Sequence, residues 1–151
     1  MTLIDNNGNI LSPLLVAPVN THDSILLPQA LKQTCSFLTQ ELRLSLKDVP
    51  VTLDKGFFSH ENMTAIRAQN MKPVIHPNRR NTKEPVKIAR MYRWFNRAIY
   101  KQRFAIERTF AWQDTYRKTV IVYERLSATR LGCKHLAYAM INLRTFVGNS
   151  E

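Results

Sequence analysis

Two short apolar runs that flank a helix-type segment constrain the fold of this chain more than any other feature. The first run, "VPVTLD", ends in the carboxylate of Asp54, and the second, "KPVIH", begins at Lys72. Between them, "SHENMTAIRAQN" predicts a short helix with Ser59 as its cap. A strand, a helix and a second strand in this order are typical of a layered α/β domain.

The segment before these runs predicts a hairpin and a helix. In "TLIDNNGNILSPLLVAPV", apolar residues lie on both sides of an Asn-Gly turn, which predicts two paired strands. Pro13 and Pro18 cannot donate to a strand ladder, so the second strand is expected at a sheet edge. Ser24 is expected to cap a helix that runs to about Leu44.

The segment after them predicts a basic loop followed by helices. "PNRRNTKEP" predicts a loop from Pro77 to Pro85, after which a helix broken near Asn96 runs to about Tyr116. "TVIVYE" fits a strand or a connector, and Ser127 is expected to cap a final helix.

Length and composition predict one domain that spans residues 1–151. The chain has 151 residues, of which 44% are hydrophobic, enough to build a core. Its two cysteines form neither a CxxC pair nor a disulfide framework. No apolar run approaches the roughly 18 residues that cross a bilayer. We therefore expect a cytoplasmic protein that does not bind a membrane.

Positive charge is concentrated in one part of the chain. The stretch from Lys55 to Lys118 holds 15 Lys/Arg and 4 Asp/Glu, while the rest holds 7 of each, so this stretch carries the entire net charge of +11. A solvated face would spread its charges more evenly. Aromatic residues are interleaved in "RMYRWFNRAIYKQRF", and this pattern favours a polyanion, most commonly nucleic acid, as the partner.

Asp54 is the first candidate for chemistry. It lies where the first apolar run ends, and α/β folds usually bind ligands at the carboxyl ends of their strands. Gly56, two residues later, allows the backbone to turn close to the carboxylate. The alternative is a purely local role, in which Asp54 caps the turn or helix that follows.

Glu107 is the second candidate. In "YKQRFAIERTFAW", the spacing of Tyr100, Arg103, Glu107 and Phe110 predicts that they lie along one face of a helix. The alternative is that Arg103 and Glu107 form only a local helix pair worth a few tenths of a kcal/mol. Two carboxylates among arginines suit Mg²⁺ bound next to a phosphate backbone, since Mg²⁺ takes carboxylate and phosphate oxygens.

Three motifs in register resemble one known family. "VTLDKGFFSHENM", "VIHPNRRN" and "YKQRFAIERTFAWQDTYRKTVIVYE" resemble the C-terminal part of the catalytic domain of bacterial insertion-sequence transposases of the DDE type. The Tyr-x2-Arg-x3-Glu pattern of that family is matched by Tyr100, Arg103 and Glu107, and its Asp-Lys-Gly-aromatic pattern begins at Asp54. The resemblance extends over nearly the whole chain.

The resemblance implies an RNase H-like mixed sheet flanked by helices. It also implies Mg²⁺- or Mn²⁺-dependent DNA strand cleavage and strand transfer at terminal inverted repeats, with two ions in the complete site. Asp54 and Glu107 would be catalytic and would bind the metal. The family usually has a basic residue about two turns after the glutamate, where this chain has Asp114 and Thr115. The expected DNA-binding residues are Lys55, Arg79, Arg80, Tyr100, Arg103, Arg108, Arg117 and Lys118.

The resemblance also leads us to expect a domain truncated at its N-terminus. The first catalytic aspartate of the family lies on a strand upstream of the segment that begins "TLIDNNGN" here, and neither Asp5 nor Asp23 matches it. We therefore expect weak metal binding and little activity from this chain alone. The expected partners are double-stranded DNA, an upstream-frame product that supplies the missing strand, and a second copy in a homodimer. The alternatives are a catalytically inactive DNA-binding remnant and a partly folded product of a broken gene.

Overall fold

The computed structural model describes residues 1–18, 20–80, 82–93, 95–116 and 126–148. Backbone contacts divide the chain into two compact units. The sheet unit is the contiguous stretch Ala17–Arg103, and the hairpin unit combines Met1–Val16 with the chain from Phe104 onward. The single domain expected from length stays a prediction, and "TVIVYE" lies outside the described residues.

The sheet unit contains the strand, helix and strand that the sequence predicted. Strands β1 and β2 are parallel, and Thr52 of β1 lies opposite Val74 of β2. The Ser59 side chain accepts a hydrogen bond from the Asn62 N–H and caps α2, as predicted. The elements of this unit are α1 (Asp23–Ser36), β1 (Pro50–Leu53), α2 (His60–Ala68), β2 (Lys72–Ile75), α3 (Pro85–Tyr92) and α4 (Arg97–Lys101).

The core of the sheet unit lies where α1 and α2 pack together. Leu27 and Leu31 of α1 and Ile66 of α2 are almost completely buried, as are Val74 and Ile75 of β2. This burial supplies the apolar transfer free energy that holds the helices in place.

The boundaries of α1 differ from the prediction. His22, not Ser24, precedes the helix as its cap, because its Nδ1 accepts a hydrogen bond from the Ser24 N–H at 3.2 Å. The helix ends at Ser36 and continues as a π-helical turn, Phe37–Glu41, so it stops short of Leu44.

The hairpin unit begins with the predicted Asn-Gly turn, but its strands are reduced to one antiparallel bridge between Ile4 and Ile10. The Asp5 carboxylate accepts hydrogen bonds from the N–H groups of Asn7 and Asn9 and fixes the turn. Gly8 has a φ of +94°, a conformation that favours glycine. The helices of this unit are α5 (Phe104–Asp114) and α6 (Ser127–Gly148).

Asn142 of α6 takes the place of a neighbouring strand beside Ile10. Its side-chain oxygen accepts from the Ile10 N–H at 2.7 Å, and its amide nitrogen donates to the Ile10 carbonyl at 3.0 Å. Ile10 also packs with Tyr138 and Ile141 in the core of this unit. One amide side chain thus satisfies both backbone groups of a buried residue.

The predicted single helix through Tyr100 and Glu107 is wrong. The Gln102 and Arg103 N–H groups bond to carbonyls three residues earlier, which tightens and ends α4 before α5 begins. Tyr100 therefore lies in the sheet unit, and Glu107 lies in the hairpin unit.

The described residues confirm an α/β arrangement with helices and a two-stranded parallel sheet. The larger mixed sheet of an RNase H-like fold stays a prediction. None of the helices in the described ranges has the length and apolar character needed to span a membrane.

Candidate active site

Asp54 follows β1 directly, at the carboxyl end of the parallel strands. Its carboxylate accepts a hydrogen bond from the Lys55 N–H at 3.0 Å, and its carbonyl accepts one from the Phe57 N–H at 2.9 Å. Asp54 therefore caps the short 3₁₀ turn Lys55–Phe57, as the local alternative predicted. Its side chain is nevertheless 62% exposed, so this capping role leaves the carboxylate accessible from solvent.

Two residues from the "YKQR" segment approach the Asp54 carboxylate. The Arg103 Nη1 lies 4.0 Å from Asp54 Oδ1, and the Arg103 guanidinium lies 5.3 Å from the centre of the Tyr100 ring. Burial raises the pKa of Tyr100 above its ordinary 10.0. The positive charge of Arg103 opposes this rise. The negative charge of Asp54 and the hydrogen bond between Tyr100 and Asp54 increase it. Tyr100 is therefore a neutral phenol at neutral pH and donates its hydrogen bond to Asp54.

Four rings pack beside this group and form what we call the four-ring cluster: His76, Tyr92, Phe95 and Tyr100. The centre of the His76 ring lies 5.5 Å from that of Tyr92, 5.3 Å from Phe95 and 5.8 Å from Tyr100. The first two of these contacts are edge-on and the third is tilted, and Tyr100 also packs edge-on against Phe95 at 5.2 Å. Aromatic contacts at these distances are stabilising and restrict ring orientation. The cluster thus holds Tyr100 next to Asp54.

Sequence reasoning did not identify His76 and Tyr92 as members of the site. A usable signal was present, because His76 follows β2 as Asp54 follows β1. The carboxyl ends of two parallel strands meet at the same sheet edge.

Three of the predicted DNA-binding residues of the sheet unit, Lys55, Arg79 and Arg80, are exposed around this edge, whereas Tyr100 and Arg103 are partly buried. Lys55 is in the 3₁₀ turn after Asp54, and Arg79 and Arg80 are in the loop after β2. The Arg79 Nε donates to the Tyr92 hydroxyl at 3.1 Å. The structure thus brings Asp54, Lys55, Tyr100 and Arg103 together, with Arg79 attached through the four-ring cluster.

Glu107 and Arg108 belong to the hairpin unit. Glu107 is exposed in the first turn of α5. Arg108 donates to the carbonyls of Asn6 and Asn7 at 3.4 and 3.3 Å, and its guanidinium lies over the Trp112 ring. Arg108 therefore fastens the hairpin turn to α5. Arg117 and Lys118 lie outside the described residues.

An exposed carboxylate at a strand end is a suitable ligand for a hard divalent cation, because Mg²⁺ and Mn²⁺ prefer oxygen. Asp54 fits that requirement as a single ligand. In the part of the chain that the structure describes, no group of three or more His, Cys, Asp or Glu side chains is arranged to hold a metal ion.

Comparison with known families gives the class of protein that these features indicate. The family described as "Transposase DDE domain" matches residues 51–144, which include Asp54, the four-ring cluster and Glu107. This match covers more than half of the chain, so the chain belongs to the DDE transposase family. No curated protein and no solved structure matches the chain significantly.

Proposed function

We propose that this chain is the C-terminal part of the catalytic domain of a bacterial insertion-sequence transposase. Its reaction is metal-dependent DNA strand cleavage and strand transfer at the terminal inverted repeats of the element. The observation that carries the proposal is the family match over residues 51–144, which contains both Asp54 and Glu107. The accessible carboxylate of Asp54 at the strand end supports it.

Asp54 and Glu107 are the proposed carboxylate ligands for Mg²⁺ or Mn²⁺, with two ions in the complete site. When bound, such ions activate the attacking oxygen and stabilise the leaving oxygen of the phosphodiester. Tyr100 donates a hydrogen bond to Asp54 and orients its carboxylate. Arg103 offsets the negative charge of Asp54 and lies within reach of an incoming phosphate.

The remaining basic residues bind the DNA backbone and supply no sequence preference themselves. The stretch from Lys72 to Arg103 holds ten basic residues against one acid, Glu84. Duplex binding should therefore weaken steeply as the salt concentration rises, because Lys and Arg side chains that bind phosphates displace counterions from the DNA. The proposed DNA contacts are Lys55, Arg79, Arg80, Tyr100, Arg103, Arg108, Arg117 and Lys118.

The proposed partners are the element ends and the target duplex, together with an upstream-frame product and a second copy of the chain. The upstream product supplies the strand with the first catalytic aspartate that the family resemblance implies. A cytoplasmic location is part of the same proposal.

A cleavage assay tests the proposal. The chain is joined to an N-terminal segment that carries an aspartate-bearing strand, and nicking of terminal-repeat DNA is measured with Mg²⁺. Asp54→Asn and Glu107→Ala should each abolish nicking while duplex binding persists. Asp114→Asn, which removes an acid outside the proposed ligand set, is the matched control and should nick normally. Undiminished nicking by Glu107→Ala would refute the catalytic assignment.

The same assay distinguishes an active transposase from the alternative, a catalytically inactive remnant that only binds DNA. That alternative predicts salt-sensitive duplex binding by every variant and no Mg²⁺-dependent nicking, even with the aspartate-bearing strand attached.

A further inference from the structure

The guanidinium of Arg79 is held in one orientation although the residue is exposed. Its Nε donates to the Tyr92 hydroxyl at 3.1 Å, and its Cζ lies 4.8 Å from the centre of the Tyr92 ring. A hydrogen bond and a cation–π contact to the same side chain restrict both the position and the tilt of the guanidinium. Most exposed arginines pay that ordering cost only when they bind a ligand.

Tyr92 is itself fixed by His76. The His76 Nδ1 lies 3.0 Å from the Pro77 carbonyl, which only accepts hydrogen bonds, so Nδ1 carries the proton of the neutral ring. Nε2 is then an acceptor, and it receives the Tyr92 hydroxyl at 3.3 Å. The hydroxyl oxygen in turn accepts from Arg79. A directed series of hydrogen bonds therefore runs from Arg79 through Tyr92 and His76 to Pro77.

This series is anchored in the interior of the sheet unit. Pro77 is completely buried, and the rings of His76, Tyr92 and Phe95 pack edge to face. Arg79 is therefore attached to a rigid base rather than to a solvated loop alone.

We propose that Arg79 is a pre-oriented clamp for one phosphate group of the DNA backbone, with Tyr92 and His76 as its positioning residues. Tyr92 occupies the Nε donor and leaves the two terminal amino groups of Arg79 for a forked contact with two phosphate oxygens. The inference rests on the proposed DNA-binding function. It gives Arg79 a role that the other basic residues of the loop lack, although the sequence alone does not separate Arg79 from Arg80.

Arg80 is the natural comparison within the same loop. It is exposed, and its backbone N–H bonds to the Asn78 side chain at 3.1 Å. Among the described residues, no hydrogen bond or ring contact of the Arg80 guanidinium is observed. Arg80 has the same charge and nearly the same position in sequence, but it lacks the preorganisation of Arg79.

The first test measures duplex affinity between about 50 and 200 mM salt, with a short random-sequence duplex as the probe. Arg79→Ala should lower affinity about tenfold and Arg80→Ala only about threefold, because an oriented cation loses less freedom on binding. Each should reduce the slope of log affinity against log salt by about one, since each removes one phosphate contact.

Tyr92→Phe separates orientation from charge. It removes the hydroxyl and keeps every cation, so affinity should fall about threefold while the salt slope is unchanged. Arg79→Lys keeps the charge but not the fork, and it should behave in the same way. Tyr138→Phe, which removes a hydroxyl that bonds to Thr2 in the hairpin unit, is the control and should bind normally. Equal affinity losses for Arg79→Ala and Arg80→Ala, or full affinity in Tyr92→Phe, would overturn the inference.

A second measurement does not depend on DNA. The Arg79 Nε–H proton, followed by nuclear magnetic resonance, should exchange with water several-fold faster in Tyr92→Phe than in the unchanged chain. An unchanged exchange rate contradicts the clamp. If the unchanged chain shows no salt-sensitive duplex binding, the proposed function fails, and this exchange measurement still decides whether Arg79 is held as inferred.

Discussion

The sheet unit and the hairpin unit are built from the chain in different ways. The sheet unit is contiguous, and its helices and strands pack against one another within residues 17–103. The hairpin unit depends on contacts between the two ends of the chain, such as the bonds of Ile10 to Asn142 and of Gly8 to Thr109. The residues around Asp54 therefore all come from one contiguous stretch, whereas Glu107 lies in a unit that requires the two ends of the chain to meet.

Substitution of Gly8 should cause the largest loss in the free energy of unfolding, and it should destabilise the hairpin unit alone. A Cβ at Gly8 would lie 2.9 Å from the Thr109 Oγ1 and 3.1 Å from the Trp112 ring, in a backbone conformation with a φ of +94°. Gly8→Val should therefore destabilise this unit by about 3 kcal/mol, from backbone strain and overpacking together. Hydrogen exchange should show lost protection in α6 and retained protection in α2 and β2.

Gly132→Ala is the matched control for this change. A Cβ at Gly132 of α6 meets nothing within 4 Å, so the substitution should stabilise the helix by about 0.5–1 kcal/mol. If Gly8→Val lost hydrogen-exchange protection equally in the sheet unit and the hairpin unit, the hairpin unit would not depend separately on contacts between the two ends of the chain.

Asn142 offers a smaller and sharper change in the same unit. Asn142→Asp keeps the acceptor for the Ile10 N–H but turns the donor to the Ile10 carbonyl into a second acceptor. We expect a loss of about 2 kcal/mol in the free energy of unfolding, measured with urea, because one backbone carbonyl loses its partner. Thr145→Ala removes only a bond to the Ile141 carbonyl within α6 and should cost less. Equal losses for the two variants would contradict the strand-like role of Asn142.

The smallest predicted effect concerns the pH dependence of the sheet unit. Burial raises the pKa of Tyr100 above its ordinary 10.0, so the folded chain holds this proton more tightly than the unfolded chain does. The contribution of Tyr100 to the free energy of unfolding is therefore fully present below about pH 10. It falls as the pH rises above about 10, because Tyr100 loses its proton first in the unfolded chain. Urea unfolding of Tyr100→Phe should show a weaker decline over that range. An identical decline in both proteins would exclude Tyr100 as its source.

The sequence predicted the contiguous unit better than the discontinuous one. Alternating apolar runs and the Ser59 cap located β1, α2 and β2, since short-range periodicity and capping determine such elements. The predicted hairpin strands were too long, because Pro13 and the turn at Asp5 limit the ladder of hydrogen bonds. The side chain of Asn142 also takes the place of a neighbouring strand. No local pattern reveals a side chain that arrives from 132 residues away.

The site was predicted unevenly for the same reason. The position of Asp54 at a strand end follows from its local sequence, and so does its capping role. Helical spacing placed Tyr100 and Glu107 on one helix, but periodicity does not register the tight turn at Gln102 and Arg103. The contribution of His76 and Tyr92 depends on tertiary packing of four rings, which spacing alone does not specify.

Electron paramagnetic resonance of Mn²⁺ tests most directly whether Asp54 and Glu107 hold a metal ion, with the chain joined to the aspartate-bearing strand and bound to terminal-repeat DNA. Asp54→Asn and Glu107→Gln should each weaken Mn²⁺ binding by about tenfold or more, because each removes a proposed ligand. Asp114→Asn, with the same change in charge, should bind Mn²⁺ normally. Undiminished Mn²⁺ binding by both Asp54→Asn and Glu107→Gln would contradict the claim that these two carboxylates hold the ion.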